Sequence, residues 1–227
     1  MKKKVFTVLA LIIIGISSAS AQAVWGARVG FSRPIMTYTW AGEYGGAGDS
    51  EQLEGVFGLE LGPVMYYSLA KNFYINTGAM FNIKTFKDEG SYENWGYDPY
   101  TGPTTKIVNY SDKFSAYYLD IPLNLGYSFN IGDASLYAQA GPFLGFKLAE
   151  KDTYKENGQV VTYEGEEDYL TSMNAGLGIM AGVNINKFKI ELGYQIGLAN
   201  VLNDKESRKY GDKIKINSLF LGVSYVF

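Results

Sequence analysis

The sequence predicts an all-β fold, an eight-stranded antiparallel up-and-down transmembrane β-barrel, and three observations predict it. The last seven residues, Leu221-Gly-Val-Ser-Tyr-Val-Phe227, alternate apolar and small side chains and stop on an aromatic. Such a strand suits a barrel, whose last strand must pair with its first so that no edge is left. Eight runs along the chain alternate with period two. The connections between those runs are long and short by turns, as in a barrel with short periplasmic turns and long extracellular loops.

The N-terminus reads as an address. Lys2, Lys3 and Lys4 precede an apolar run over residues 5–16, and Ala19-Ser20-Ala21 offers a small-x-small cleavage site. These are the parts of a secretory signal peptide, so residues 1–21 read as a leader and 22–227 as one barrel domain. The apolar run falls short of the ~20 residues that a membrane-spanning helix needs. Loss of the leader's three lysines takes the formal charge from −3 to −6, a balance that speaks against a nucleic-acid partner. There is no cysteine, so an exported chain must be held by its hydrogen-bond ladder rather than by disulfides. No helix-length apolar segment follows the leader, so a membrane crossing requires a closed sheet.

Each run sorts its residues onto two faces. The first, 25–38, puts Trp25, Ala27, Val29 and Phe31 opposite Gly26, Arg28 and Gly30, and loses phase near Pro34, as at a bulge. The second, 54–67, sets Phe57, Leu59, Leu61, Pro63, Met65 and Tyr67 against Gly58, Glu60 and Gly62. The third, 73–86, sets Phe73, Ile75, Thr77, Ala79, Phe81 and Ile83 against Gly78 and Lys84. In the fourth, 114–129, Tyr117 to Phe129 at odd positions face away from Asp120, Asn124 and Gly126. The fifth, 135–148, carries Leu136, Ala138, Ala140, Pro142, Leu144 and Phe146 opposite Gln139, Gly141, Gly145 and Lys147. The sixth, 171–183, opposes Met173 to Val183 with Asn174, Gly176, Gly178 and Gly182. The seventh, 188–198, opposes Phe188, Ile190, Leu192, Tyr194, Ile196 and Leu198 with Lys189, Glu191, Gly193, Gln195 and Gly197. The eighth, 214–227, ends with Leu219, Leu221, Val223, Tyr225 and Phe227 on one face and Gly222 on the other.

The apolar face bears no charge, and its partner face bears charge together with most of the strand glycines. Glycine and charge belong together where backbones crowd around a narrow polar lumen. In a soluble lipocalin-like barrel the same pattern would overfill the core with aromatics and leave the outer surface bare. The apolar face therefore points at lipid. Rings at the strand ends support this, with Trp25, Tyr67, Phe73, Tyr127, Phe129, Phe188, Tyr225 and Phe227 beside the short turns. Phe81, Tyr117, Phe146 and Tyr194 lie nearer the long loops, and two such girdles are expected of a barrel in a bilayer.

The segment Tyr118-Leu-Asp-Ile-Pro-Leu-Asn-Leu125 resembles the "YLEIPL" strand of the PorT-like outer-membrane β-barrel family, and Tyr194-Gln-Ile-Gly-Leu-Ala-Asn200 resembles its "Y-x-x-GL-x-N" stretch. The resemblance spans the mature chain and implies an eight-stranded barrel similar in shape to OmpA and OmpX, located in the cell outer membrane. The family's founding member serves a protein-secretion system, and the fold is carried over here, not that role.

Chemistry is bounded by what is missing. With no histidine and no cysteine, a base working near neutral pH would have to be a strongly shifted carboxylate or lysine. No catalytic residue, cofactor or metal site is assigned, and the protein is read as no enzyme. The lumen charges Arg28, Glu60, Lys84, Asp120, Lys147, Lys189 and Glu191 have two readings, a gated path for small solutes or a plug of mutually paired charges. Eight strands leave an interior that side chains just fill, which favours the plug.

Two loops are candidate binding surfaces. Tyr92, Trp95, Tyr97 and Tyr100 in the second can stack on sugars or grip a protein, or pack on one another to order the loop. The third gathers Glu164, Glu166, Glu167 and Asp168, which could hold Ca²⁺ but match no EF-hand spacing, so a solvated acidic loop is the plainer reading. The expected function is non-enzymatic display of the loops for adhesion, partner binding or envelope integrity; a narrow pore and an accessory barrel of a secretion system are the alternatives. Expected partners are outer-membrane lipid, a surface protein or glycan at the loops, and the barrel-assembly machinery through the strand ending at Phe227.

Overall fold

In the computed structural model the described residues are 23–41, 49–100, 102–161 and 168–227; the expected leader lies outside them. Ten strands and one short helix follow in order: β1 (Ala23–Thr39), β2 (Ser50–Ser68), β3 (Phe73–Gly78), β4 (Met80–Asp98), β5 (Gly102–Ile131), β6 (Ala134–Glu156), β7 (Gln159–Val161), β8 (Met173–Ile185), β9 (Phe188–Gly197), α1 (Lys205–Tyr210) and β10 (Lys213–Val226). The strands form one antiparallel sheet. β1 pairs with β2 and β10, β10 with β9, β9 with β8, β8 with β6, and β6 with β5. β5 pairs with β3 and β4, which pair back onto β2, so the ladder returns to its start. β3 and β4 act as one strand, since Gly78 opposite Val64 and Phe81 opposite Leu61 keep a single register across Ala79. β7 is a three-residue tab on the far end of β6.

The connections keep the order read from the sequence. Tight turns join β2 to β3, β5 to β6 and β8 to β9, with Gly132 (φ 59°) and Asn186 (φ 53°) in the left-handed conformation that closes the last two. At the opposite end the strands run past the expected limits. β4 extends to Asp98 and β5 begins at Gly102, in register from Phe86 opposite Phe114 to Asp98 opposite Gly102. β6 continues to Glu156, pairing with β5 as far as Tyr110. Most of the expected second loop and part of the third are therefore a β-ribbon. Both faces of that ribbon meet solvent over much of its length, so its sequence shows no apolar period from which a strand can be read.

Burial is inverted relative to a water-soluble protein. Val29, Phe31, Leu61, Leu123, Leu125, Ile179, Leu192 and Leu221 are exposed, while Arg28, Glu60, Lys84, Asp120, Asn124, Gln139, Asn174 and Glu191 are buried. An apolar surface of this extent requires apolar surroundings. Two irregularities interrupt the alternation, both near the loop end. Gly55 opposite Phe86 is followed by Phe57 opposite Thr85, which leaves Val56 as an extra residue in β2. The irregularity between Ser32 and Ile35 of β1, beside Pro34, is the same bulge seen from its other neighbour. Tyr117 opposite Ala149 and Tyr118 opposite Lys147 leave Leu148 as the extra residue in β6. Each bulge moves the inward side chains from one parity to the other.

Glycines fill the narrowest places. A Cβ on Gly141 would lie 2.0 Å from the Leu123 carbonyl oxygen and 2.7 Å from the Asn124 Cα, both of them backbone atoms of the neighbouring strand. Gly141→Val should therefore destabilise the refolded barrel by about 1–3 kcal/mol, read from the urea midpoint in detergent micelles. A midpoint equal to that of the parent would show that the two strands are not packed this closely.

Candidate functional site

The interior is built from alternate residues of every strand in the circuit. Beside the short turns, the rings of Tyr66 on β2, Tyr74 on β3 and Tyr137 on β6 surround Lys189 of β9, whose ammonium lies 4.3, 5.2 and 4.5 Å from their centroids. Distances of this size allow cation–π attraction to each ring. Lys189 is thus held by aromatic faces, where the sequence set it among carboxylates. Above the cage, Arg28 bridges two carboxylates, with Nη1 3.3 Å from Glu60 and Nη2 in contact with Glu191. Glu191 also accepts from Tyr137 Oη at 2.8 Å and Gln139 Nε2 at 3.3 Å.

Higher again, Lys84 lies 3.7 Å from Asp120, which accepts from Asn82 Nδ2 at 2.9 Å. The Lys84 ammonium also sits over the Tyr118 ring at 5.2 Å. Arg28, Glu60, Lys84, Asp120 and Glu191 are each exposed by 4% or less. With the half-buried Lys189, three cations and three carboxylates thus share one interior, and each carboxylate has a cation or a hydrogen-bond donor against it.

Lys147 does not join them. The bulge at Leu148 brings it onto the same face as Glu150, three residues on, where an unbroken strand would set the two on opposite faces. Lys147 Nζ contacts Glu150 at 2.7 Å, the Leu170 carbonyl at 2.5 Å and Asp168 at 3.3 Å. Glu150 in turn accepts from the backbone N–H groups of Tyr169 and Leu170. This clasp pulls the chain before β8 into the mouth. There Leu170 bridges to Leu202 and joins Met36, Phe86, Ala116, Tyr118, Val201, Ile214 and Ile216 in a buried apolar cluster. Asn200 holds the other half of the cap, since its Oδ1 accepts from the N–H of Leu202 (3.1 Å) and Ile214 (3.0 Å) and its Nδ2 donates to Asp212 O (2.9 Å). The asparagine that ends the Tyr194–Asn200 stretch is thus a structural clamp.

A cavity of about 600 Å³ opens on the loop side of this cap. Tyr38, Leu53, Phe86, Phe114 and Tyr169 supply its apolar lining, and Asp88, Asp112, Glu150, Asp152 and Asp168 its carboxylates. Leu53 faces inward because of the bulge at Val56, and Glu150 and Asp152 because of the bulge at Leu148. Burial, and then a hydrogen bond with Tyr169, pushes the Tyr38 phenol well above its usual range, so it remains a neutral hydroxyl. Apart from the loop acids, these residues escape a sequence reading. The one available signal was the mirrored spacing of Phe86-x-Asp88 and Asp112-x-Phe114.

The expected loop residues disperse. Tyr92 stacks toward Tyr110, and Tyr110 on Tyr154, in an aromatic ladder across β4, β5 and β6, and Tyr92 Oη donates to Glu156 at 3.1 Å. Trp95 is 72% and Tyr100 96% exposed at the ribbon tip. The Tyr97 side chain and Glu164, Glu166 and Glu167 lie outside the described residues. Asp168 belongs to the Lys147 clasp, and its carbonyl accepts from Asn203 Nδ2 at 2.7 Å.

The family model described as "Outer membrane protein beta-barrel domain" matches residues 18–203. No curated protein sequence matches the chain. Among solved structures, Neisserial surface protein A is 14% identical with a TM-score of 0.45, over 91% of this chain and all of the other. The outer membrane protease OmpT of Escherichia coli is 10% identical with a TM-score of 0.42, over 92% of this chain and 98% of the other. Ail, the attachment invasion locus protein of Yersinia pestis, is 15% identical with a TM-score of 0.34, over 91% of this chain and all of the other.

The Arg28 bridge yields a direct test. Arg28→Ala strands two buried carboxylates and should cost about 3–5 kcal/mol of unfolding free energy, measured by urea titration of the refolded barrel. A loss under about 1 kcal/mol would show that water, not Arg28, compensates Glu60 and Glu191.

Proposed function

The chain belongs to the outer membrane protein β-barrel domain family, and on that footing we propose that it is a non-enzymatic, eight-stranded transmembrane barrel whose working surface lies outside its own lumen. The observation that carries this reading is the filled interior. The central charges Arg28, Glu60, Lys84, Asp120 and Glu191 are buried and paired, and an apolar cap stands between them and the loop end. A solute passing through would have to separate Arg28 from two carboxylates and displace Leu170 and Leu202.

The ribbon of β4, β5 and β6 is then the prominent feature. From Lys87 to Asp98 the outer edge of β4 has no ladder partner among the described residues. Such an edge offers main-chain hydrogen bonds to an extended segment of a partner protein, and Trp95 beside it offers a ring. In this reading residues 1–21 are the leader, the tight turns face the periplasm, the ribbon faces outward, and the strand ending at Phe227 is the one read by the assembly machinery. The accessory role in secretion gains nothing from the motifs that suggested it. Tyr118, Asp120 and Asn124 fill the lumen and Asn200 clamps the cap.

The alternative, a narrow pore, is separated by conductance. The refolded mature chain in a planar bilayer should be electrically silent. A variant with residues 90–109 replaced by Asn-Gly should be silent too while losing partner capture at the cell surface. Stable, ion-selective steps whose selectivity changes in Glu60→Ala would replace display with the pore.

A further inference from the structure

On the loop side of the apolar band the strands sort their charges by face. On β4, Asp88 looks into the mouth and Lys87 outward. On β5, directly across, Asp112 looks inward and Lys113 outward, so that Lys87 is opposite Lys113 and Asp88 opposite Asp112. On β6, past its bulge, Glu150 and Asp152 line the mouth while Lys151 and Lys155 alternate with them. β10 does the same with another chemistry, burying Ile214 and Ile216 and turning Lys213 and Lys215 to the other face.

Like charges directly opposite in an antiparallel pair destabilise it, so the pairing of Lys87 with Lys113 is not there for the ribbon's own stability. Of the six lysines, among the described residues only Lys87 has a carboxylate within 4.0 Å, Glu89 at 2.7 Å. The remaining outward ions at this level, Arg33 and Glu54, neutralise each other. Below the lysines the same outward faces become apolar within a few residues, at Phe81 and Ile83 on β4, Tyr117 on β5, Phe146 on β6 and Leu219 on β10.

We propose that these lysines form a basic collar that binds the phosphate groups of anionic lipid in the leaflet around the loop end of the barrel. The collar is continuous with the lipid-facing band, so its height is that of the headgroups. Its sign is opposite to theirs, and apart from Lys87 its ammonium groups have no carboxylate within 4.0 Å among the described residues. A basic residue at a membrane surface gains roughly 1 kcal/mol from anionic lipid, and lysine, a point charge on a flexible stem, can follow phosphates of varied geometry. Charge sorting by face then has a reason, since Asp88, Asp112, Glu150 and Asp152 are kept in the mouth, away from the lipid phosphates, and the outward carboxylates Glu54 and Glu89 are each held by a cation. This inference rests on the transmembrane reading above.

The test is lipid selectivity at the barrel surface. The refolded mature chain is placed in phosphatidylcholine vesicles, and electron spin resonance compares the association of spin-labelled phosphatidic acid with that of spin-labelled phosphatidylcholine. The parent should favour phosphatidic acid by about five-fold or more. The preference should fall toward unity in the variant Lys113→Gln/Lys151→Gln/Lys213→Gln/Lys215→Gln and in high salt, and persist in Lys71→Gln/Lys187→Gln at the opposite end. A parent without preference, or a four-lysine variant that keeps it, would overturn the collar while leaving the transmembrane reading intact. A chain that never inserts, and so shows no motionally restricted lipid with either label, would overturn both.

Discussion

Return of the strand ladder to its own beginning is the constraint from which the rest follows. A sheet that pairs β10 with β1 has no free edge within the circuit, and eight strands leave an interior only as wide as the side chains that fill it. A polar group turned inward is costly there unless it is paired. The interior ions accordingly gather in small sets: Lys189 with three tyrosines, Arg28 with Glu60 and Glu191, and Lys84 with Asp120 and Asn82. Glycines such as Gly141 occur where even a methyl group would strike the next backbone. The same closure turns the bulky side chains outward, so the apolar band and the polar interior are two consequences of one geometry.

Two single-residue bulges divide the barrel into a lower and an upper part. Below Val56 and Leu148 the inward residues include the buried ions Arg28, Glu60, Lys84, Asp120 and Glu191. Above them the parity of β2 and β6 changes, bringing Leu53, Glu150 and Asp152 inward. Without the extra residue Leu148, Lys147 and Glu150 would lie on opposite faces and the clasp on Leu170 would not form. The apolar cap, the acidic cavity above it and the outward lysines of β6 all depend on that one insertion. A bulge near the rim thus builds an upper compartment unlike the lower one from an otherwise regular strand.

This division also explains what the sequence could and could not tell. Alternation separates Leu119 from Asp120 and Ile190 from Glu191 without ambiguity, because one face is apolar throughout. It fails for Lys147, since a one-residue insertion at Leu148 leaves no mark in composition. It fails for the cage around Lys189 for another reason. Parity puts Tyr66, Tyr74 and Tyr137 on the inner face, but strands far apart in the chain carry no sign that the three rings meet around one lysine. The ribbon of β4 and β5 escapes because neither of its faces is continuously apolar. The helix α1, capped by Asp204 and closed by Gly211 in the left-handed conformation, is too short to show a period.

Charge placement follows the dielectric of each compartment. In the buried interior, ions occur in balanced sets, because an unpaired charge there is very costly. At the mouth, where water reaches, carboxylates outnumber cations, and Lys147 alone contacts two of them. On the outer surface at the same height lysines predominate, and among the described residues only Lys87 of the six has a carboxylate within 4.0 Å. Neighbouring residues of a strand differ in sign because they face different media across one thickness of sheet. That segregation costs stability wherever Lys87 opposes Lys113 and Asp88 opposes Asp112. On the outer face, the proposed contact of these lysines with lipid phosphates offsets that cost.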